Sequence, residues 1–189
     1  DNLGNTEFYL DTVKKSDKYM FFLDVSSPYA DESLISDSMK QRYGNLMDEY
    51  GNPVCDAVYW TDTRSVQEKA YLAENFGEEI FKKCKHNVDT IWSLPEILYV
   101  KNHFPKTYEK VKKVTFAKDF VRGKFTGDFV TDYIEAQGSM LFDFDKKEWD
   151  QHLLSLVGLT QANMPKIANP LEQVGQVCVE AALDTGLKV

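Results

Sequence analysis

The segment Thr115–Trp149 limits the fold of this chain more than any other, because several local structure signals follow one another within it. Residues 114–117 are β-prone, and residues 118–125 predict about two turns of helix with Phe and Val side chains on one side. Gly127 can adopt the left-handed backbone conformation that ends a helix. Residues 129–131 are extended in character, so the segment predicts a strand, a helix and a second strand.

The second half of this segment predicts a further helix and a further strand. Asp132 has a side chain suited to capping a helix, and the predicted helix carries four apolar residues: Ile134, Ala136, Met140 and Leu141. Residues 141–144 alternate like a half-buried strand, and Trp149 is predicted to open another helix. Taken alone, these patterns describe packing and turns, which are typical of a scaffold.

The composition fits one domain with a sizeable core. The chain has 189 residues, of which 43% are hydrophobic and 13% aromatic. Its formal net charge is −8, and it has no basic cluster, which argues against binding to nucleic acid or to an anionic membrane. No apolar run approaches the ~20 residues that a membrane-spanning helix needs.

Cysteines and histidines show no metal-ligand spacing, so the sequence predicts no metal site. The three cysteines are far apart and odd in number, which indicates reduced thiols and a cytoplasmic protein: Cys55, Cys84 and Cys178.

Residues 46–64 predict a hairpin followed by a strand. Residues 46–54 indicate strand, turn and strand with Gly51 and Asn52 at the tip, and residues 57–60 indicate a further strand. Ser65 is predicted to cap a long helix that runs to about Lys85, with Glu68 in the capping-box position. The apolar stripe of that helix is predicted from five residues: Val66, Ala70, Ala73, Ile80 and Cys84.

The rest of the chain predicts short helices and one late strand. Pro95 fits the first turn of a helix that begins near Ser93, and residues 105–113 indicate a short basic surface helix. Gly158 is expected to end a helix over 151–157. The last elements are a predicted strand over 172–177 and a predicted helix over 179–183.

The order of motifs in the run KDFVRGKFTGDFVTDYIEAQGSMLFDFDKKEW resembles the FGGY family of carbohydrate kinases. The family pattern has Lys-Asp, an aromatic, a Thr-Gly turn, Thr-Asp, Leu-Phe-Asp and a Trp. The resemblance covers residues 35–189 and implies an α/β fold. That fold is part of a ribonuclease-H-like (actin-like ATPase) domain, with a mixed sheet and flanking helices.

The resemblance implies transfer of the ATP γ-phosphoryl group to a hydroxyl of a ketose or polyol, with Mg²⁺ as the metal ion. Residues 1–189 then form part of the N-terminal, sugar-side domain. The catalytic base is expected beyond Val189, and the C-terminal ATP-binding domain is absent from this sequence, so this piece alone is expected to be inactive. The implied partners are a sugar and a nucleotide, and a homodimer is left open.

A non-catalytic sugar-binding or regulatory relative is the alternative. The family places a Gly-Thr-rich phosphate turn after the Asp that ends its first strand. Here Asp24 is followed by Val25 and the run Ser26–Ser27–Pro28, without glycine. A phosphate cradle needs closely approaching backbone amides, which glycine permits. Asp24 is therefore either part of the nucleotide site or only a strand end with an Asx turn.

The resemblance implies a sugar site at two segments. The first contains Met39, Lys40, Gln41 and Arg42, where family members hold sugar-contacting polar residues; the role is not divided among the last three. The second is Trp60, Asp62 and Arg64, at the end of the strand over 57–60.

Each residue of the second segment has two interpretations. Trp60 is either a platform for a sugar C–H face or a core residue. Asp62 either accepts hydrogen bonds from sugar hydroxyls or forms a structural ion pair with Arg64. Farther along the chain, Trp92 lies near an aromatic sugar contact of some members, although core packing is the simpler role. Glu96 stands where the family usually has Lys, and Tyr99 where it has Trp.

Overall fold

The computed structural model describes residues 46–55, 58 and 62–189. The strands are β1 (Leu46–Met47), β2 (Lys113–Val114), β3 (Val130–Asp132), β4 (Phe142–Asp143), β5 (Glu148–Trp149) and β6 (Lys166–Ala168). The helices are α1 (Val66–Cys84), α2 (Ser93–His103), α3 (Pro105–Tyr108), α4 (Ala117–Thr126), α5 (Tyr133–Gly138), α6 (Gln151–Val157) and α7 (Val179–Thr185).

The strands of the described residues form three two-stranded sheets. β1 pairs antiparallel with β2, and β4 pairs antiparallel with β5. β3 pairs in parallel with β6, with Thr131 opposite Ile167. Helices connect these pairs along the chain, so the described residues form an α/β fold with small sheets, which confirms the α/β part of the prediction. No mixed sheet is present among the described residues, because each two-stranded sheet is either parallel or antiparallel.

The predicted turn at Gly51 is present. Asp48 and Asn52 are joined by a 2.9 Å backbone hydrogen bond, and the Asp48 carboxylate accepts the amides of Tyr50 and Asn52 at 2.9 Å each. Gly51 has φ +80°, which glycine adopts without strain. Beyond the turn, Met47 and Pro53 form one antiparallel bridge. Most of the predicted strand over 57–60 lies outside the described residues.

The predicted cap of α1 is wrong. Ser65 has φ −80° and ψ 23° rather than the extended conformation of a capping residue, and its buried hydroxyl has no hydrogen-bond partner in the described part of the chain. Glu68 does not reach back to Ser65. Its Oε1 atom instead accepts from Asn102 Nδ2 at 3.2 Å and lies 3.1 Å from His103 Nε2. The Glu68 carboxylate therefore bonds to the end of α2 and does not form a capping box with Ser65.

The predicted buried stripe of α1 is right only in its second half. Ile80 and Cys84 are fully buried, as expected, but Val66 is 56% exposed, and Ala70 and Ala73 are also exposed. Leu72 is fully buried instead. The helix turns its larger aliphatic side chains inward, because an alanine gains little from burial compared with a leucine or isoleucine.

Around α4, the segment Thr115–Trp149 folds largely as predicted. The helix ends at Gly127, which has φ +81°, and Asp132 accepts the amides of Ile134 and Glu135 at 3.0 Å each. α5 is shorter than predicted, because Met140 has φ +59° and lies beyond its end.

Three predicted boundaries are wrong. Trp149 ends β5 rather than opening a helix, and Asp150 caps α6 by accepting the Leu153 amide at 2.9 Å. The basic surface helix comprises only Pro105–Tyr108. Residues 172–177 form no strand; the late strand is β6, which lies beside β3. The final helix and the stop of α6 at Gly158, with φ +75°, are confirmed.

The core lies between α1, α2, α6 and β4. Its largest fully buried side chains include Leu72, Leu94, Phe142, Leu153 and Leu154. Lys83 on α1 forms a 2.8 Å ion pair with Asp150, which caps α6. The Trp149 indole donates a hydrogen bond to the Pro165 carbonyl at 2.8 Å. Within the described part of the chain, no helix combines the length and apolar character that crossing a membrane requires.

Candidate functional site

Asp62 and Arg64 form a closely bonded pair just before α1. Arg64 Nε lies 3.0 and 2.9 Å from the two Asp62 carboxylate oxygens, and its terminal nitrogen donates to Asp62 Oδ2 at 2.6 Å. The Arg64 backbone amide also donates to Asp62 Oδ1 at 2.9 Å. These bonds hold the pKa of Asp62 below its ordinary value. Asp62 is therefore an anion near neutral pH, fixed in direction by its partner.

The pair is anchored on α2 through an aromatic stack. The Arg64 guanidinium lies 5.2 Å from the centre of the Tyr99 ring, which is a cation–π contact. The Tyr99 ring stacks on His103 with centroids 4.4 Å apart, and His103 contacts the buried Glu68. Side chains from α1 and α2 therefore set the position of Arg64, although it is itself 57% exposed.

Glu96 is a buried carboxyl group in the first turn of α2. The residue is 5% exposed, and its Oε1 atom has no hydrogen-bond partner among the described residues. Burial, with a further contribution from the negative charge of Asp62, raises the pKa of Glu96 to about 8. The group is therefore largely uncharged at neutral pH.

Glu96 also lines a small crevice of about 10 Å³ between α2 and the residues around β2. The crevice is mostly apolar, with Val58 and Phe116 among its walls, and Thr115 is one of its few polar residues. Thr115 is fully buried, and no described residue forms a hydrogen bond with its hydroxyl. Sequence reasoning did not identify this site; the departure from the family's Lys at position 96 was the only signal.

The predicted site residues divide into two groups. The structure brings Asp62 and Arg64 together, so the ion pair exists, while the sugar contact of Asp62 stays a prediction. The others lie outside the described residues: Asp24, Met39, Lys40, Gln41, Arg42 and Trp60. Trp92 is half-buried, stacks on His86 with centroids 4.6 Å apart, and packs close to Gly138. Its contacts agree with the packing role.

A second charged cluster joins α4 to β3. Lys118 Nζ lies 2.6 Å from Asp119 Oδ1 and 2.9 Å from Asp132 Oδ2. Arg122 donates to Asp119 Oδ1 at 2.8 Å and also to the Val130 carbonyl. Asp119 is fully buried, and within residues 46–55, 58 and 62–189 its Oδ2 atom has no hydrogen-bond partner. These contacts join residues of the segment Thr115–Trp149 to one another, so the cluster has a structural role.

Metal binding finds no support in the part of the chain that is described. It holds no group of three or more His, Cys, Asp and Glu side chains placed to bind a metal ion. The Cys84 thiol donates to the Phe142 carbonyl at 3.4 Å, and burial raises its pKa to about 12. This thiol is therefore neutral and unreactive at physiological pH.

Comparison with known proteins identifies the family. The model of the N-terminal domain of the FGGY family of carbohydrate kinases matches residues 28–189. The chain belongs to the FGGY family. Among curated FGGY kinases, it is 30% identical to the xylulose kinase of Bacillus subtilis (strain 168) over 142 residues, which are 75% of this chain and 28% of that protein. It is 29% identical to the glycerol kinase of Thermococcus onnurineus (strain NA1) over 134 residues, covering 69% and 27%.

Solved FGGY kinases have the same fold. The xylulose kinase of Rhodospirillum rubrum superposes with a TM-score of 0.72 at 23% identity, over 76% of this chain and 30% of that one. The Plasmodium falciparum glycerol kinase with ADP superposes with a TM-score of 0.68 at 22% identity, over 76% and 30%. The chain thus spans less than a third of these FGGY relatives.

Proposed function

We propose that the protein to which this chain belongs transfers the γ-phosphoryl group of ATP to a hydroxyl group of a ketose or polyol. The observation that carries this proposal is the family match over residues 28–189, supported by relatives named xylulose kinase and glycerol kinase. Phosphoryl transfer of this kind needs a base for the attacking hydroxyl and stabilisation of charge on the phosphate. Because this chain spans under a third of its relatives, the activity belongs to the whole protein.

This chain contributes part of the sugar side. Residues 1–189 form part of the N-terminal domain, with a ribonuclease-H-like (actin-like ATPase) fold, and the catalytic base lies beyond Val189. ATP and Mg²⁺ complete the reaction in the whole protein. The described residues contain no group of three or more His, Cys, Asp and Glu side chains that could hold a metal ion. We further propose a cytoplasmic location, because the three cysteines are odd in number and far apart in the sequence.

We propose that the sugar-contacting residues belong to two segments of the sequence, 39–42 and Trp60 to Arg64. Asp62 supports this placement, because its carboxylate is ionised and held in one orientation by Arg64. Three N–H groups of Arg64 bond to Asp62, and a carboxylate has about four acceptor positions, so one position is left for a sugar hydroxyl. Arg64 is 57% exposed and supplies a donor beside it. Trp60 adds an apolar platform, and Met39, Lys40, Gln41 and Arg42 add further contacts.

Asp62→Ala in the whole protein tests this placement. We expect the substitution to weaken binding of D-xylulose or glycerol by at least about tenfold, because a charged hydrogen-bond acceptor is lost. Binding of ATP should be nearly unchanged. Calorimetric titration with each compound, together with phosphoryl-transfer rates, provides the measurement. Unchanged sugar affinity and rate in folded Asp62→Ala and Trp60→Leu proteins would contradict the proposed pocket.

The alternative function is sugar binding without catalysis. The run Ser26–Ser27–Pro28, in place of a glycine-rich turn, favours it. The two functions differ in one result: a non-catalytic relative binds the sugar but gives no phosphorylated product with ATP and Mg²⁺. A product detected by phosphorus NMR, and absent without the sugar, would decide for the kinase.

A further inference from the structure

The Arg64 guanidinium has a defined position although its side chain is 57% exposed. It contacts both carboxylate oxygens of Asp62, with Nε at 3.0 Å from Oδ1 and the terminal nitrogen at 2.6 Å from Oδ2. An exposed ion pair does not by itself hold two side chains in one geometry, because the loss of side-chain entropy offsets most of the attraction. A further contact is needed, and the Tyr99 ring supplies it, with its centre 5.2 Å from the guanidinium carbon.

Tyr99 is itself held by an aromatic neighbour one turn farther along α2. Its ring stacks on the His103 ring, with centroids 4.4 Å apart and 30° between the ring planes. Residues four apart in a helix share a face, so the stack lies along one side of α2. Phe104 adds an edge contact to Tyr99, with centroids 6.0 Å apart. Tyr99 therefore has two ring contacts within its own part of the chain in addition to its contact with Arg64.

The imidazole of His103 is fixed in turn by the buried carboxyl group of Glu68 on α1. Glu68 is 4% exposed, and its Oε1 atom lies 3.1 Å from His103 Nε2 and accepts from Asn102 Nδ2 at 3.2 Å. Its Oε2 atom has no hydrogen-bond partner within the part of the chain that the structure describes. Burial of a carboxyl group is costly unless it is hydrogen-bonded, so these two contacts offset that cost. They also set the His103 ring with Nε2 toward α1.

These contacts form one continuous series from the interior to the surface. Arg64 lies on Tyr99, and four residues later Glu68 meets His103, which is itself four residues after Tyr99. The same face of α2 therefore contacts the residues around the start of α1 twice. The series runs from Glu68 through His103, Tyr99 and Arg64, and it ends at the Asp62 carboxylate.

We propose that His103 and Tyr99 are positioning residues for the sugar site, which act through Arg64 on the direction of the Asp62 carboxylate. Without either ring, the guanidinium loses its support and the two-point contact with Asp62 is no longer maintained. The Asp62 oxygens then lose their fixed direction, and sugar affinity falls although neither ring contacts the sugar. The part of this inference that concerns sugar rests on the proposed function, while the part that concerns Arg64 does not.

Proton–nitrogen NMR of the whole protein, labelled at arginine, tests the structural part. An Nε–H group bonded to a carboxylate exchanges slowly with water, and Arg64→Lys identifies the Arg64 signal by its disappearance. We expect this Nε–H group to exchange about three- to tenfold faster in Tyr99→Leu and in His103→Ala, the range that loss of one cation–π contact allows. Glu68→Gln keeps an acceptor oxygen for His103 and should retain the wild-type exchange rate.

His152→Ala is the matched control for His103→Ala. The His152 ring is also about half exposed, and its Nδ1 atom lies 2.8 Å from Glu79 on α1, but it belongs to α6 and not to the contact series. The substitution should leave the Arg64 Nε–H signal unchanged. An Arg64 signal that both substitutions at the stacked rings leave unchanged would overturn the proposal. So would a wild-type protein in which this Nε–H exchanges as fast as in free arginine, a result that needs no variant to fold.

Titration of the whole protein with D-xylulose and with glycerol tests the functional part. We expect the dissociation constant of the bound compound to rise about three- to tenfold in Tyr99→Leu and in His103→Ala. In Arg64→Met protein, the additional substitution His103→Ala should cause no further loss, because its effect passes through the guanidinium. Affinity that stays constant while the Arg64 signal responds, or a full further loss in Arg64→Met, would remove the link to sugar. Absence of binding to the wild type, with Arg64 Nε–H in slow exchange, would instead contradict the proposed function.

Discussion

At the scale of single residues, charge and burial decide what Glu96 and Asp62 can do. The two carboxyl groups interact, yet their surroundings move their pKa values in opposite directions. Arg64 stabilises the anion of Asp62, whereas burial disfavours the anion of Glu96. Such separated titrations occur at functional sites, although structural ion pairs produce them as well. The sequence predicted that Asp62 and Arg64 could pair, since they are two residues apart, but it could not predict the burial of Glu96.

The titration of Glu96 has a predicted effect on stability. Its pKa is raised from an ordinary 4.5 to about 8, so the folded state binds this proton more tightly than the unfolded state does. The contribution of Glu96 is therefore most favourable below pH 4.5 and is lost as the pH rises toward 8. The difference in unfolding free energy between wild type and Glu96→Gln should fall by up to about 1.4 kcal/mol per pH unit in this range. Urea unfolding at five pH values measures it, and a pH-independent difference would contradict the burial argument.

At the scale of helices and strands, predictions from the sequence were most accurate where the local backbone conformation alone determines the structure. The capping of α5 by Asp132 and the stops at Gly127 and Gly158 follow from φ values and side-chain acceptors within a few residues. The cap of α1 failed because its partner was not local: Glu68 meets Asn102 and His103, more than thirty positions away. Long-range partners of this kind cannot be read from one segment.

Replacement of glycine by alanine is predicted to change stability in opposite directions at Gly127 and at Gly77. Gly127 has φ +81°, so Gly127→Ala should destabilise the protein by about 1 kcal/mol through backbone strain. Gly77 lies inside α1, and a methyl group there meets no atom of the described residues within 4 Å, so Gly77→Ala should stabilise by about 1 kcal/mol. A methyl group at Gly127 also meets no described atom within 4 Å, so the contrast isolates backbone conformation. Urea unfolding of both variants provides the test, and equal effects would refute it.

The cap of α5 provides a second test at this scale. Asp132 accepts two backbone amides and also contacts Lys118 at 2.9 Å. Asp132→Ala removes both interactions and should cost about 1 to 2 kcal/mol of unfolding free energy. Asp132→Asn keeps an amide oxygen for the cap and loses only the charge, so it should cost less. If Asn and Ala are equally destabilising in urea unfolding, the ion pair rather than the cap stabilises this junction.

At the scale of the whole molecule, the family could be recognised from one segment, because its motifs appear in a fixed order over about thirty residues. The pairing of the strands could not: β3 lies beside β6, some thirty-five positions away, and the predicted strand over 172–177 does not exist. Parallel pairing depends on packing of the intervening helices, which a single sequence does not report. The family match and the superpositions then supply the fold that local patterns leave undetermined.

The last prediction concerns which part of the whole protein contains the groups that carry out phosphoryl transfer. The 189-residue chain aligns with 28% of the Bacillus subtilis xylulose kinase and 27% of the Thermococcus onnurineus glycerol kinase, and the proposed catalytic base lies beyond Val189. A sugar hydroxyl group does not attack the phosphate efficiently when no base accepts its proton and no nucleotide is bound beside it. We therefore expect this chain, incubated with ATP, Mg²⁺ and either D-xylulose or glycerol, to form no sugar phosphate above the rate without protein. Phosphorus NMR measures the product, and the whole protein serves as the positive control. Product formation that Asp62→Ala abolishes in the 189-residue chain would show that the reacting groups lie within it, and would relocate the base.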